Sequence, residues 1–360
     1  LQTIAGYEKH NTKSMKKGRQ VTMKEIAKKL GVSVSTVSRA LQNSPELQEA
    51  TKEKIVAAAK EMKYQPNLLA QSLRRSRSKT LGVIVPEITS HFFASCISGI
   101  QDTANARGYN VMICQSNESL AQEKANIKAL VSSQVDGLLI SLSRETNAFD
   151  HLYELYDREH TFVLFDRVQE DIPVSKVTFN DVGGAYQVVK HLLETGSRRI
   201  LYLSGPEDLY ISKKRKEGYL RALKEFGIAE DSSLIKVSDL TTPHTVQLAR
   251  EILDMQPRPD AVFCMIDPVA VDVLTEWKQL GIRVPQEIAL AGFTNNPSSA
   301  VVEPPLTTVS QPGYEMGKLA VSHLLDQLDG LASEDPLSIV LETTLVVRNS
   351  SQRNTPVHLS

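Results

Sequence analysis

From Val21 to Leu41 the chain reads Val-Thr-Met-Lys-Glu-Ile-Ala-Lys-Lys-Leu-Gly-Val-Ser-Val-Ser-Thr-Val-Ser-Arg-Ala-Leu, two short helical patterns joined by one glycine. Thr22 is placed to cap the first helix, and Glu25 three residues on completes a capping box. Ile26, Ala27 and Leu30 recur at helical spacing, and Gly31 stops the helix. Ser33 caps a second helix whose Val37 and Leu41 face inward. Val34, Ser35, Ser38 and Arg39 are left outside, near the helix N-terminus. A recognition helix offers its side chains to base edges in the major groove from that position. A plain surface hairpin of two helices fits the same pattern, so charge has to decide between them.

The whole chain is nearly neutral, at −1, but its charge is unevenly spread. Residues 1–80 hold 17 Lys and Arg against 6 Asp and Glu, a net of +11, and residues 81–360 hold 24 against 36, a net of −12. A basic segment is usually a solvated face. Here it coincides with the helix-turn-helix pattern, which points to a polyanion at one end of the molecule.

At 360 residues the chain exceeds one ordinary core, so two or three domains are expected. No run of 18 apolar residues is present to span a bilayer. Residues 1–20 are polar and show no secretory signal. Met15 before Lys16-Lys17 reads as a natural start, with the residues ahead of it as an extension. Cys96, Cys114 and Cys264 are widely spaced in apolar runs. They have neither metal-ligand spacing nor an even count, so neither a metal nor a disulfide framework is expected, and a reducing cytoplasm is the natural compartment.

Thr51 to Met62 forms a third helix, with Ile55, Ala58, Ala59 and Met62 on one face. Then comes Tyr64-Gln-Pro-Asn-Leu-Leu-Ala-Gln-Ser-Leu73, where Pro66 suits a first helical turn. Two turns are too few to be stable alone. The segment is either a plain linker or a hinge helix that folds on DNA with Leu73 exposed for insertion between base pairs. From Leu81 apolar strands alternate with amphipathic helices. Strands are expected at 81–85, 110–114, 135–140 and 161–165, and again at 199–203, 234–237, 261–265 and 288–293. Such alternation means parallel sheets covered on both faces, here in two doubly wound lobes. Ligands bind outside the carboxyl ends of these strands, at stretches such as 86–93, 166–167, 266–267 and 294–296.

These residues together make the chain resemble the lactose-repressor (LacI/GalR) family of bacterial transcription regulators. The resemblance is carried by Val21-Thr-Met-Lys-Glu-Ile-Ala27, Gly31-Val-Ser33, Thr36-Val-Ser-Arg-Ala-Leu41, Tyr64-Gln-Pro-Asn67 and Ala70-Gln-Ser-Leu73. It continues through Leu81-Gly-Val-Ile-Val-Pro86, Val135-Asp-Gly-Leu-Leu139, Leu164-Phe-Asp-Arg167 and Pro304-Pro-Leu-Thr-Thr-Val309, so it spans 21 to about 348 in order. It implies an α/β protein with an N-terminal three-helix head and hinge helix, followed by a two-lobed periplasmic-binding-protein-like core with two doubly wound parallel sheets. The implied division is a flexible extension at 1–20, a helix-turn-helix domain at 21–65 and a hinge helix and linker at 66–80. The first lobe is 81–179 plus 308–337, the second 180–307 plus 338–349, and 350–360 is a polar tail.

Residue by residue, the resemblance puts Val34 and Ser35 on the family's specificity positions and Arg39 on its guanine-reading arginine, which suits bidentate pairing. Thr22, Ser33, Thr36 and Ser38 suit phosphate oxygens. Leu73 falls on the minor-groove leucine, with Ala70 and Asn67 on the same segment; the family inserts this leucine at a central CG step of a palindrome. In the core Asp166 and Arg215 match sugar-hydroxyl ligands, and Phe179 and Gln311 match pocket positions. A carboxylate and a guanidinium can grip vicinal hydroxyls through charge-assisted bonds. Arg215 also lies in the run Lys213-Lys-Arg-Lys216, which reads locally as an exposed charged face. His91 and Phe92 suit either stacking on a ligand or packing, and Asp267 and Thr294 complete the expected pocket. Two positions depart from the family: Ile266 where Asn or Ser is usual, and Thr294 where aspartate is usual. Losing two hydroxyl-binding groups leaves room for an effector other than a simple neutral hexose.

The expected partners are double-stranded operator DNA, a second copy of the chain in a homodimer, and a small sugar or sugar derivative, with no membrane and no cofactor. A sugar-binding transport protein would suit the core alone, but it would need an export signal and no basic head. No nucleophile elbow, phosphate loop or paired-cysteine pattern suggests an enzyme; Gly183-Gly184 reads as a packing contact.

Overall fold

The computed structural model describes residues 21–41, 43–64, 77–333 and 335–353 and divides into two compact units, 1–76 and 77–360. The hinge positions Asn67, Ala70 and Leu73, together with residues 1–20 and 354–360, lie outside the described residues.

In the first unit α1 (Met23–Leu30), α2 (Val34–Leu41) and α3 (Glu49–Glu61) enclose a core of Ile26, Ala27, Val37, Ala40, Ile55, Ala58 and Ala59. Four of these seven are alanines, and larger, partly buried side chains such as Leu30, Leu41 and Met62 pack around them. The helix ends are fixed locally. The Glu25 carboxylate accepts the Thr22 backbone N–H at 2.8 Å and its hydroxyl at 3.1 Å. Gly31 stops α1 at φ +65°, a left-handed conformation that glycine adopts without a Cβ penalty. The Ser33 hydroxyl accepts the Thr36 N–H at 3.0 Å, which caps α2. Lys29 and Glu61, 2.8 Å apart, tie α1 to α3.

The second unit holds two α/β lobes. In the first lobe β1 (Thr80–Val85), β2 (Asn110–Gln115), β3 (Gly137–Ile140), β4 (Phe162–Phe165), β5 (Lys176–Phe179) and β11 (Ser338–Leu341) form a parallel sheet in the order β11-β5-β4-β3-β1-β2. Its central strands β3 and β4 are apolar throughout because both faces are covered. Helices α4 (His91–Ala106) and α12 (Gly313–Leu328) cover one face, and α5 (Leu120–Ser132) and α6 (Asp150–Asp157) the other. A Cβ on Gly99 of α4 would collide with the Tyr314 backbone oxygen, so glycine lets α4 and α12 touch backbone to backbone.

In the second lobe β6 (Ile200–Ser204), β7 (Ile235–Val237), β8 (Ala261–Cys264) and β9 (Ala289–Ala291) run parallel in the order β7-β6-β8-β9. They lie between α7 (Asp181–Glu194) with α8 (Tyr210–Glu225) and α9 (Thr242–Asp254) with α10 (Asp267–Gln279). Beyond β9 come the short α11 (Ser298–Val301) and β10 (Thr308–Ser310), and β10 pairs antiparallel with β12 (Thr344–Val346). Trp277 is fully buried and donates its indole N–H to the Ala249 carbonyl at 2.9 Å.

The chain crosses between lobes after β5, between β10 and α12, and between β11 and β12, but two boundaries differ from expectation. Residues 308–310 stay with the second lobe, bridging it through Thr294–Ser310 and pairing with β12, so the return to the first lobe begins only at α12. Residues 338–341, expected in the second lobe, add the outer strand of the first-lobe sheet, pairing Ile339 with Val177 and Leu341 with Phe179. The expected polar tail also begins too early. Ser350 and Ser351 are fully buried because their hydroxyls serve the second-lobe backbone and side chains. Ser350 bonds the Leu290 carbonyl and the Thr307 N–H, and Ser351 bonds Thr307 and His191. The strand at Lys176–Phe179 was not among those expected.

Candidate functional site

Helix α2 presents Val34, 42% exposed, with Ser35 and Arg39 on the surface of the head. Arg39 keeps 57% of its side chain exposed and is 3.5 Å from Glu46, a loose contact that leaves the guanidinium available to another partner. Ser33, Ser35 and Thr36 form a hydroxyl cluster, with Ser33 Oγ 2.7 Å from Ser35 Oγ and 2.8 Å from Thr36 Oγ1. Thr22 is exposed at the start of α1. Ser38 does not join this surface; it is only 5% exposed. At about 100° per residue it sits roughly 60° from Leu41, on the flank of the buried stripe.

In the core, the strand ends of the two lobes face one another across a cleft of about 380 Å³. His91, Phe92, Asp166 and Arg167 line it from the first lobe, Ile211, Arg215, Ile266 and Thr294 from the second, and Gln311 from a crossing segment. Six of the expected residues therefore meet: His91, Phe92, Asp166, Arg215, Thr294 and Gln311.

Arg215 is 1% exposed, so the charged run around it is no guide to its surroundings. Its Nε donates to Asp181 Oδ1 at 2.8 Å, its Nη1 to the Met265 carbonyl at 2.6 Å, and its guanidinium lies 3.8 Å from the Phe293 ring centroid. Two of its five N–H donors are thereby committed. Asp166 is also buried and sits in the left-handed region at φ +60°. Burial, offset in part by Arg167, pushes its carboxyl up to about 7. Burial raises Asp181 as well, against the opposing pull of Arg215. Arg167 Nη1 donates to Glu118 at 2.6 Å. Burial alone would raise Glu118, but the charge and hydrogen bond of Arg167 outweigh it and hold the carboxyl below its ordinary value. Among the described residues Arg167 Nε, Gln311 Nε2 and Asp181 Oδ2 are buried without hydrogen-bond partners. Such groups are costly unless a ligand completes them.

Two expected pocket residues are elsewhere. Asp267, at the start of α10, turns inward and is fully buried. It accepts from the Asn296 N–H at 2.8 Å and from the Ser299 and Thr308 hydroxyls at 2.6 Å each, so it braces the loop that carries Thr294. That loop is strained, with Thr294 at φ +114° and Asn295 at +48°. Phe179 lies behind the wall, its ring centroid 5.8 Å from that of Phe92. Arg167 and Asn296 also line the cleft; both fall inside the strand-end stretches 166–167 and 294–296 but carry no signal in the sequence that singles them out. The sequence reading missed Ile211 and Pro268, which help make the second-lobe wall aliphatic around Arg215.

A model of the bacterial regulatory proteins of the lacI family matches residues 22–67, and one of the periplasmic binding protein-like domain matches 189–351. The HTH-type transcriptional repressor CytR of Escherichia coli (strain K12) is 34% identical over 340 residues, covering 94% of this chain and 99% of its own length. The chain belongs to the LacI family. Within it, the HTH-type transcriptional repressor PurR of Vibrio atlanticus (strain LGP32) is 33% identical over 309 residues, 85% of this chain and 92% of its own. The solved transcriptional regulator CelR–cellobiose complex is 30% identical with a TM-score of 0.70, covering 92% of this chain and all of that one. The lac repressor dimer bound to operator and the anti-inducer ONPF shares the fold, with a TM-score of 0.83 at 24% identity over 93% of this chain and all of that one. A LacI-family chain with this head and core is a DNA-binding transcription regulator. Among the described residues no helix is long and apolar enough to cross a membrane.

Proposed function

We propose that this LacI-family chain is a repressor that binds a pseudo-palindromic operator as a homodimer and is switched by a polyhydroxylated effector in the interlobe cleft. One observation carries the reading: the surface of α2 that suits base reading shares a chain with a cleft holding Asp166 and Arg215. Arg39 is assigned to guanine, Val34 and Ser35 to base edges, and Thr22, Ser33 and Thr36 to phosphates. Asn67, Ala70 and Leu73 are carried as hinge contacts on the resemblance alone. A two-fold operator calls for a two-fold protein. The relatives CytR and PurR are named as repressors. That kinship supports repression, a cytoplasmic site of action and effector binding without turnover.

The cleft narrows the effector class. Asp166, Arg167, Arg215 and Gln311 suit ring hydroxyls, whereas Ile211, Ile266 and Pro268 face the aromatic side chains of Phe92 and His91. An effector with a hydroxylated ring and an apolar or planar substituent fits both walls.

The test uses a duplex selected from a random pool by the full-length protein. Salt-dependent, sequence-specific binding is expected, followed by a thermal-shift and operator-release screen against glucose, ribose, cellobiose, adenosine, cytidine and glucose 6-phosphate. A ligand must bind the two conformations unequally to shift the DNA equilibrium. Salt-insensitive or sequence-blind DNA binding would overturn the operator reading. An effector whose action survives both Asp166→Asn and Arg215→Met would overturn the cleft reading.

A further inference from the structure

On the outer face of the first lobe, away from the cleft, α5 and α6 flank a groove of about 520 Å³. Ile127 and Leu155 form its floor, and Lys124, Lys128 and Arg158 line it together with one carboxylate, Glu154. Arg158 is paired with Glu154 at 2.6 Å, but among the described residues neither lysine has a carboxylate partner. His151 also lines the groove and is nine-tenths buried. Its Nε2 lies 2.9 Å from Oε1 of the fully buried Glu123, while its Nδ1 is buried with no hydrogen-bond partner among the described residues.

With Nε2 engaged by Glu123, Nδ1 is the nitrogen of His151 left for a further partner. Two ammonium groups without carboxylate partners that line one groove suit a compact anion with several acceptor oxygens, since charge-assisted bonds to phosphate are the strong ones. The apolar floor accommodates the carbon skeleton of an ester. We infer that the α5–α6 groove is a second small-molecule site, for phosphate or a phosphate ester, and that its occupancy acts on the cleft.

The route to the cleft is a chain of hydrogen bonds. Glu123 also accepts the Ser143 N–H at 2.6 Å and the Thr146 hydroxyl at 3.0 Å, so it fixes the loop after β3. Within that loop Arg144 donates its N–H to Glu118 at 2.7 Å and reaches across to the Asp239 carbonyl of the second lobe at 2.6 Å. Glu118 in turn holds Arg167 of the cleft. A group drawn onto His151 thus pulls on a residue that bridges the lobes. This coupling, unlike the groove itself, rests on the cleft being the effector site.

The experiment titrates the full-length protein with inorganic phosphate, and separately with glucose 6-phosphate, at fixed ionic strength. The basic head also attracts phosphate, so the readout is the difference between wild type and Lys124→Ala/Lys128→Ala. Binding at least tenfold weaker in the double variant is expected, with its melting temperature and operator affinity unchanged, because both lysines are exposed. His151→Gln should weaken the same binding while Ile127 and Leu155 remain packed. Equal binding in wild type and the double variant would overturn the site, as would a groove that takes an acidic peptide but neither anion. Phosphate should also shift effector affinity at least threefold in wild type and not in Arg144→Ala; no shift in wild type would overturn the coupling. Loss of the operator reading would show separately, as a wild-type protein that binds phosphate but no specific DNA.

Discussion

The head and the core place their chemistry on opposite sides of their surfaces. The head buries Ile26, Val37, Ile55 and four alanines and exposes Arg39, Ser35 and Val34. The core buries the groups proposed for its effector: Asp166, Arg167 and Arg215, with Asp181 behind them, are all less than a tenth exposed. A reader of a charged polymer gains from exposed cations, whose worth is set by salt and counterion release. A reader of a small neutral ligand gains from charges taken out of water, where hydrogen bonds are stronger and unpaired groups costly. Substitution in the head should therefore alter binding with little effect on stability, whereas in the core the two should change together.

The largest test of that contrast is Arg215→Ala. It strands Asp181 in the interior, and breaking a buried pair on one side costs about 3–5 kcal/mol. Urea denaturation of the core should show that loss, and the effector response should vanish. Arg215→Met with Asp181→Asn should recover much of the stability but not the response. If Arg215→Ala leaves stability untouched, the core behaves like the head and the contrast fails.

Arg39→Ala is the matching experiment on the head. It should cost roughly 1–3 kcal/mol of operator affinity and relax discrimination at one base pair. The midpoint of denaturation should barely move, since among the described residues the ion pair lost is the exposed contact with Glu46. An equal loss of stability would mean that Arg39 is structural.

The same division explains what was legible in the sequence. The head's caps and its stripe of Ile26, Val37 and Ile55 are local signals, and all appear where the spacing put them. The apolar core strands were equally plain. Lys176–Phe179 and Ser338–Leu341 were not, because each is four residues long and they pair across some 160 residues of chain, which no local pattern encodes. Arg215 was readable only through the family resemblance. Its neighbours Lys213, Lys214 and Lys216 suggest a solvated face, and only the packing of α8 against Phe293 and Asp181 shows otherwise. Asp267 illustrates the converse. The strand-end rule located it, but whether its side chain faced the ligand or the interior depended on Ser299 and Thr308, more than 30 residues away.

Between the large and the small effects lies pH. Burial pushes Asp166 up to about 7, so in the native core it keeps a proton that the unfolded chain releases near pH 4. From roughly pH 4 to 7 the native state binds more protons, and Asp166 therefore contributes stability that is lost as pH rises through that window. Effector binding should run the other way if the ionised carboxylate accepts the ligand hydroxyls. Its ionised fraction rises about tenfold between pH 6 and 8, so affinity should rise by a similar factor, and Asp166→Asn should flatten the profile. Isothermal titration across that range decides it. A flat wild-type profile would mean that Asp166 binds as the neutral acid.

The smallest expected effect concerns Ser38, which the sequence placed with the phosphate-binding hydroxyls and the structure places inside. The two placements differ in what operator affinity will show. The slope of log affinity against log salt counts phosphates neutralised by Lys and Arg, so a neutral hydroxyl on a phosphate contributes to affinity and not to the slope. A buried hydroxyl contributes to neither, but losing it costs about 1 kcal/mol of stability. Ser38→Ala should therefore leave operator affinity at fixed salt unchanged and lower the head's denaturation midpoint slightly, while Thr36→Ala weakens operator binding with less loss of stability and an unchanged salt slope. If Ser38→Ala weakens operator binding without moving the midpoint, α2 must turn on the operator to bring that side chain out, and the buried stripe of the free head is not the one used on DNA.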